Sequence, residues 1–272
     1  MSKVTTLRNA SCMNCGCQLS ADKRVLGLPN QLKPRFLLGL PDSELRAMLS
    51  AAAHRCFHRF SVVVHREDPA ERFFLLTSGR GHFFVPTRNG RRILLRSLTA
   101  GQVFGGMTIL PTPCEYLAST ELLSNSCALV WDRKTIRGFT SRLPVLLENA
   151  LAGAALEHIA WLISANVSLN CDDAEGRIAH TLISLACGTG EICPDGVEVQ
   201  IRNEDLAAGS NVTPFTTSRV LNTWQREGIL KKGRGKILLR RPELLATCEN
   251  PYLHLEQLPL SQSQKRNRLT GT

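Results

Sequence analysis

Glu204-Asp205-Leu206-Ala207-Ala208-Gly209-Ser210-Asn211, followed by Val212-Thr213-Pro214-Phe215-Thr216-Thr217-Ser218-Arg219-Val220-Leu221, decides how this chain is read. The spacing predicts two short helices with a tight turn at Asn211, since Asn tolerates a left-handed backbone better than most residues. Asn203 is placed to cap the first helix, with Glu204 and Asp205 in its first turn favouring the positive helix end. Leu206 and Ala207 are expected to face inward. Thr213 can cap the second helix and Pro214 take its first position, where a missing N–H costs nothing. Val220, Leu221 and Trp224 recur at helical spacing and would bury that helix against the first. Gly228 ends it. Ile229-Leu230 and Ile237-Leu238-Leu239 then predict a hairpin with a basic tip, Lys231-Lys232-Gly233-Arg234-Gly235-Lys236. This is the pattern of a winged helix-turn-helix, a DNA-reading module.

Charge points the same way. The chain carries 33 Lys and Arg against 23 Asp and Glu, a net +10. Residues 202–241 hold nine basic side chains and three acidic ones, so most of the excess sits on this module. The expected DNA contacts are Thr213, Phe215, Thr216, Thr217, Ser218 and Arg219 on the second helix, with Lys231, Arg234 and Lys236 on the wing. Arg219 can bind guanine O6 and N7 with both arms of its guanidinium. Phe215 can touch a thymine methyl or pack into the head, and packing is the favoured reading.

At 272 residues two domains are expected, each able to bury a core. No apolar run approaches the ~20 residues needed to cross a membrane, and Met1 to Leu19 lacks the apolar core of a secretory signal. A cytoplasmic protein without membrane partners is therefore expected. In that compartment its ten Cys would be thiols or metal ligands rather than disulfides. Cys56, Cys127, Cys187 and Cys248 lie in or beside apolar segments and read as small core residues.

Upstream of the head, Leu37 to Ala53 reads as a helix, with a start signal at Asp42-Ser43-Glu44 inside it. Short β-rich runs follow at Phe60-Val64, Phe73-Leu76, Gly81-Val85, Ile93-Leu95, Val103-Phe104, Ser119-Leu122 and Ala128-Val130. Turn signals separate them, Arg88-Asn89-Gly90 the strongest, and the spacing predicts a sandwich or barrel. Pro144 to Val167 reads as a long helix with two apolar faces. Ala152, Leu156, Ile159 and Ile163 form one. Leu147, Leu151, Ala154 and Leu162 form the other, with Trp161 alongside. One face can cover the barrel, and a second copy of the same helix is the simplest partner for the other. Asn170-Cys171-Asp172-Asp173 reads as a hinge before a helix from Ala174 to Cys187.

This order resembles the Crp/Fnr family of bacterial transcription regulators over about residues 35 to 245. The carrying residues are Gly79 after Leu75-Leu76-Thr77-Ser78, the turn Gly101-Gln102-Val103-Phe104-Gly105, the helices Leu206 to Leu221 and the wing Gly228 to Leu239. The resemblance implies an α+β chain: an antiparallel β-roll (double-stranded β-helix) sensor at 35–143, a dimerisation helix at 144–169 and a winged helix-turn-helix at 170–247. Residues 1–34 would be a Cys-containing N-terminal segment and 248–272 a disordered tail. It also implies a homodimer on a palindromic double-stranded operator, acting through RNA polymerase contact or promoter occlusion.

The chain departs from the family at its effector site. In cyclic-AMP-binding members a Gly-Glu pair follows the Phe of the turn, and an Arg-Ser pair grips the cyclic phosphate. Here Phe104 is followed by Gly105-Gly106, and the phosphate position falls near Tyr116-Leu117-Ala118, with no Arg between Arg96 and Arg133. A buried phosphodiester without a guanidinium would be poorly stabilised, so an effector other than cyclic AMP is expected around Phe104, Gly105, Gly106 and Tyr116. Gly106 reads as a structural glycine in a tight turn.

Cys12, Cys15 and Cys17 are close enough to share one metal or cluster, with Cys114 or Cys127 as a fourth ligand and Cys114 the more accessible. The oxygen-sensing Fnr branch holds an iron–sulfur cluster with N-terminal cysteines and one β-roll Cys, although its spacing is wider. Three readings stay open: a metal or iron–sulfur site, a metal-free thiol switch, and a disordered N-terminal tail with incidental cysteines. Among His54, His58, His65 and His82 nothing selects a haem ligand. An enzyme with a reactive Cys is not expected, since no Cys–His pairing at informative spacing stands out. A regulatory subunit acting on a protein partner would have no use for the wing.

Overall fold

The computed structural model describes residues 34–245, which divide into two compact units: one runs up to Phe84 and resumes over Leu98–His158, and the other comprises Val85–Ser97 and the described residues from Ile159 onward. Cys12, Cys15, Cys17 and Cys248 lie outside the described residues.

In the first unit a 3-10 turn, Arg35–Leu37, precedes helix α1, Asp42–Ser50. The helix therefore begins at the Asp42 signal and not at Leu37; Asp42 and Glu44 lie in its first turn, where the positive helix end favours them. Eight strands follow along the chain, β5 falling largely in the Val85–Ser97 stretch of the second unit: β1 Ala53–Phe57, β2 Ser61–Val64, β3 Arg72–Ser78, β4 Arg80–Pro86, β5 Arg92–Thr99, β6 Val103–Phe104, β7 Ser119–Leu122 and β8 Ser126–Asp132. They form two four-stranded sheets, ordered β1-β8-β3-β6 and β2-β7-β4-β5, with antiparallel registers. This is the expected β-roll. All seven runs read from sequence are strands, and β1 was not foreseen, because the chain there continues the apolar Ala-rich end of α1.

Strands β3 and β8 are buried on both faces, which explains their unbroken apolar runs. Successive side chains alternate between two cores. Phe73, Leu75, Leu129 and Trp131 join Phe36, Met48, Ile136, Phe139, Leu146 and Ala150 in one cluster. Phe74, Leu76, Ala128 and Val130 join Val64, Leu98, Phe104, Tyr116 and Leu122 in the other. Buried Trp131 donates its Nε1–H to the Met48 carbonyl at 2.8 Å, which locks α1 to the sheet. Helix α2, Arg133–Arg142, is polar enough to escape periodicity, but Asp132 caps it by accepting from the Thr135 N–H at 2.8 Å.

A continuous helical segment follows: α3 Pro144–Ala150, a π-helical stretch Leu151–Leu156, and α4 Glu157–Cys171. It runs past the expected end at Val167, so the break before the next helix narrows to Asp172 and Asp173. One expectation needs correction here. The roll is covered by Leu146 and Ala150, while Leu147, Leu151 and Leu162 are exposed. Burial was assigned one position off because both neighbours are apolar. Pro144–Cys171 spans 28 residues with a mean hydropathy of 1.3 in its most apolar window, which by length and composition alone would suit a bilayer span or the core helix of a soluble protein equally.

In the second unit α5, Ala174–Thr189, is capped by Asp173 accepting from the Gly176 N–H at 2.8 Å. Two strands not foreseen, β9 Glu191–Cys193 and β10 Gly196–Gln200, join the wing strands β11 Leu230–Gly233 and β12 Lys236–Leu239 in a sheet ordered β11-β12-β10-β9. Helices α6, Asn203–Gly209, and α7, Pro214–Arg226, complete the head. Buried His180 on α5 shares a 2.8 Å hydrogen bond with Ser164 of α4. Burial holds the His180 imidazole below its ordinary 6.5, and nearby Asp172 opposes that shift more weakly. The folded state thus keeps a neutral imidazole that the unfolded chain would protonate. Stability from this residue is complete above about pH 6.5 and is lost as pH falls below it. Acidification from about pH 7.5 to about pH 5.5 should lower the melting temperature by a few degrees. His180→Gln, which still bonds Ser164 but cannot titrate, should show a shallower dependence in a thermal melt series.

Candidate DNA-reading face and effector site

The recognition helix is set by its own sequence. Thr213 accepts the Thr216 N–H at 3.0 Å, Pro214 holds the first position, and Asn211 takes the left-handed conformation at φ 51°. Leu206 and Ala207 are buried, as are Val220, Leu221 and Trp224. Trp224 donates its Nε1–H to Glu175 at 2.8 Å, fixing α7 to α5. Asn203 does not cap α6. It is the first helical residue, after Arg202, and its amide donates to the Pro214 carbonyl at 3.2 Å and to Ser218 Oγ at 3.3 Å. It thereby ties the start of one helix to the other, a cross-helix role that local capping rules do not reveal.

Opposite the buried stripe lies an exposed one: Phe215, Arg219, Asn222 and Arg226, spaced four, three and four apart. Phe215 is 80% exposed, so the packing reading of this ring is wrong. Thr217 also departs from expectation. It is fully buried, and its hydroxyl donates to the Thr213 carbonyl at 3.1 Å, so it belongs to the head's core and not to a DNA surface. Thr213 is exposed, and Thr216 and Ser218 are half-buried beside the stripe. Asn222 and Arg226 were missed, although the spacing from Phe215 would have found them. On the wing Lys231 and Arg234 are exposed. Lys232 bonds Asn222 through its ammonium group, linking wing to helix. Lys236 is committed at 2.8 Å to Glu198 of β10, whose hydrogen bond and charge raise its pKa.

In the roll, Phe104 is buried and stacks on Phe74 with centroids 4.4 Å apart. Gly105 sits at φ +74°, and a Cβ there would lie 2.5 Å from the Arg72 carbonyl oxygen. The obligatory glycine is thus Gly105. Gly106 opens a 3-10 turn, Gly106–Ile109, with open space where a side chain would go, so it is not required by the turn. Tyr116 is buried, and burial raises its phenol pKa, keeping it protonated. Its Oη accepts from the Arg72 N–H at 2.9 Å and donates to the Arg72 carbonyl at 2.8 Å. Both bonds close the protein on itself. Cys114 is half-buried, packs against the interior core and donates to the Met107 carbonyl at 3.5 Å.

The sheet register brings together residues that sequence order does not. Cys56 lies directly across from Cys127, and His54 is two residues before Cys56 on the same strand face. Their donor atoms all lie within 4.8 Å of one another. A Cys–His pairing is therefore present, at the strand spacing of two. Cys127 is buried as expected, whereas Cys56 and Cys187 are half-exposed.

A β-roll followed along the chain by a winged helix-turn-helix head is the architecture of a class of DNA-binding regulators. Comparison with known proteins agrees. The pattern of the cyclic nucleotide-binding domain matches residues 54–142, and that of the Crp-like helix-turn-helix domain matches residues 176–248. The cyclic AMP receptor protein of Thermus thermophilus is 28% identical over 211 residues, covering 76% of this chain and 93% of that one. Two solved structures share the fold. The c-di-GMP responsive global regulator CLP of Xanthomonas campestris has a TM-score of 0.61 at 16% identity, covering 73% of this chain and 99% of its own. FixK2 of Bradyrhizobium japonicum has a TM-score of 0.58 at 18% identity, covering 71% and 95%. The chain belongs to the Crp/Fnr family and is a transcription regulator with a cyclic-nucleotide-binding-type domain and a helix-turn-helix.

Proposed function

We propose that this protein is a cytoplasmic homodimer that binds a palindromic operator sequence-specifically and regulates transcription through RNA polymerase, in response to an effector other than cyclic AMP. The observation that carries the DNA-reading part is the exposed stripe of Phe215, Arg219, Asn222 and Arg226 beside a basic wing, on a head whose opposite face is fully packed. Arg219 supplies the bidentate guanine contact, and Phe215 offers an apolar surface for a thymine methyl. Lys231 and Arg234 supply phosphate contacts that position the head without reading sequence. Operator selection from random double-stranded DNA tests this reading. A palindrome should emerge whose affinity falls steeply with salt. Equal affinity for random duplexes would sink it.

Three observations support an effector other than cyclic AMP. Gly106 stands where a ribose-binding carboxylate would. No Arg occurs between Arg96 and Arg133. The Tyr116 hydroxyl is already spent on Arg72. Calorimetry with cyclic AMP should therefore show no submicromolar binding, and a submicromolar dissociation constant would overturn the exclusion. The relative from Thermus thermophilus is named for that nucleotide, which makes this the sharpest point of difference to test.

A further inference from the structure

We propose that Cys56 and Cys127 form a peroxide-reactive dithiol on the β-roll, which closes to a cross-strand disulfide with His54 as proton acceptor. The two Sγ atoms are 3.2 Å apart on directly paired positions of β1 and β8, 71 residues apart in sequence. Directly opposed residues of an antiparallel pair have Cα atoms roughly 4.5–5.5 Å apart, inside the roughly 4.4–6.8 Å that a disulfide spans. Bond formation therefore needs side-chain rotation and little backbone movement.

Among the described residues, the donor count argues against a structural zinc. His54, Cys56 and Cys127 supply three donors where a structural zinc takes about four.

The roles of the two thiols follow from burial. Cys56 is half-exposed and can meet an oxidant, whereas Cys127 is sealed. His54 Nδ1 lies 4.0 Å from Cys56 Sγ, within hydrogen-bond reach of sulfur. Burial, with a smaller contribution from the Arg55 charge, holds His54 below its ordinary 6.5, so the ring is a neutral acceptor at neutral pH. In the tautomer that presents its Nδ1 lone pair, the ring takes the Cys56 proton. The thiolate attacks one oxygen of hydrogen peroxide and the O–O bond breaks. The proton passes to the departing oxygen, which leaves as water, and Cys56 becomes a sulfenic acid. The Cys127 thiol then attacks that sulfur and expels a second water. Two thiols are oxidised, one peroxide is reduced, and β1 is covalently pinned to β8.

The test uses the full chain, reduced, freed of reductant and exposed to one equivalent of hydrogen peroxide, then alkylated and digested without reduction. Mass spectrometry should find the Cys56 and Cys127 peptides joined and two hydrogens lighter. In Cys127→Ser, dimedone should trap a sulfenic acid at Cys56. In Cys56→Ser, Cys127 should remain unmodified. His54→Gln should slow wild-type disulfide formation by about a hundredfold and flatten its dependence on pH between about 5 and 7. The dithiol is refuted if both cysteines stay alkylatable after peroxide treatment, or if purified protein carries stoichiometric zinc that only Cys56 alkylation releases. Oxidation at an unchanged rate in His54→Gln removes the histidine from the mechanism. Because the readout is the bond itself, it stands or falls independently of the operator and effector reading.

Discussion

Arg219→Ala should lose about 1–3 kcal/mol of affinity for the selected operator, or roughly 5- to 150-fold, and should stop distinguishing one base pair in each half-site. The residue is exposed on α7, one turn beyond Phe215 and on the same face, while the packed side of the helix is anchored by Val220, Leu221 and Trp224. Removing its side chain leaves no cavity, so the loss is attributable to recognition and not to folding. Arg219→Lys keeps the charge but not the two-pronged geometry, and should recover phosphate attraction without base preference. Arg234→Ala in the wing should instead weaken all duplexes alike and reduce the slope of log affinity against log salt by about one. Fluorescence anisotropy on the operator and on single-base variants separates these cases. If Arg219→Ala lost affinity equally on every sequence, Arg219 would be a phosphate contact and the reading face would lie elsewhere.

What was legible in the sequence was what short-range chemistry controls. The Thr213–Pro214 start of α7 and the left-handed Asn211 follow from neighbouring residues alone, and so does the run of β-roll strands with their turns. What was not legible depends on distant partners. The segment 191–200 folds as two strands because β10 pairs with the wing strand β12, some 40 residues later. Asn203 looks like a cap, yet its amide is drawn to Pro214 and Ser218 once α7 packs nearby. Thr217 and Phe215 were each given the wrong side of the helix boundary between core and surface, because a Thr at a helix start suits DNA and a Phe suits a core. Here the helix phase set by Val220 and Trp224 overrides residue type. The opposition of Cys56 and Cys127 is a matter of strand register, to which spacing along the chain is blind.

Ile159→Glu should convert a dimer into a monomer at micromolar concentration while leaving the β-roll folded. The helix from Pro144 to Cys171 spends Leu146 and Ala150 on the roll's core, and turns Ser164 and Ser168 inward to bond His180 and Asp172. Leu156, Ile159, Leu162 and Ile163 remain between 44% and 61% exposed in the single chain. Such a run of large apolar side chains on one helix is costly in water, at about 25 cal/mol for each Å² left uncovered. A second copy of the helix would cover it symmetrically, and would place two reading heads on a palindrome. A carboxylate at Ile159 would then be buried against its own symmetry mate, where the desolvation of two like charges opposes association strongly. The roll should be spared, because its core draws on Leu146 and Ala150 and not on Ile159. Analytical ultracentrifugation of both proteins, with a thermal melt to confirm folding, decides the matter. A monomeric wild type would remove the seam. Partition of the wild type into detergent micelles, abolished by the same substitution, would point to a bilayer as what covers this helix.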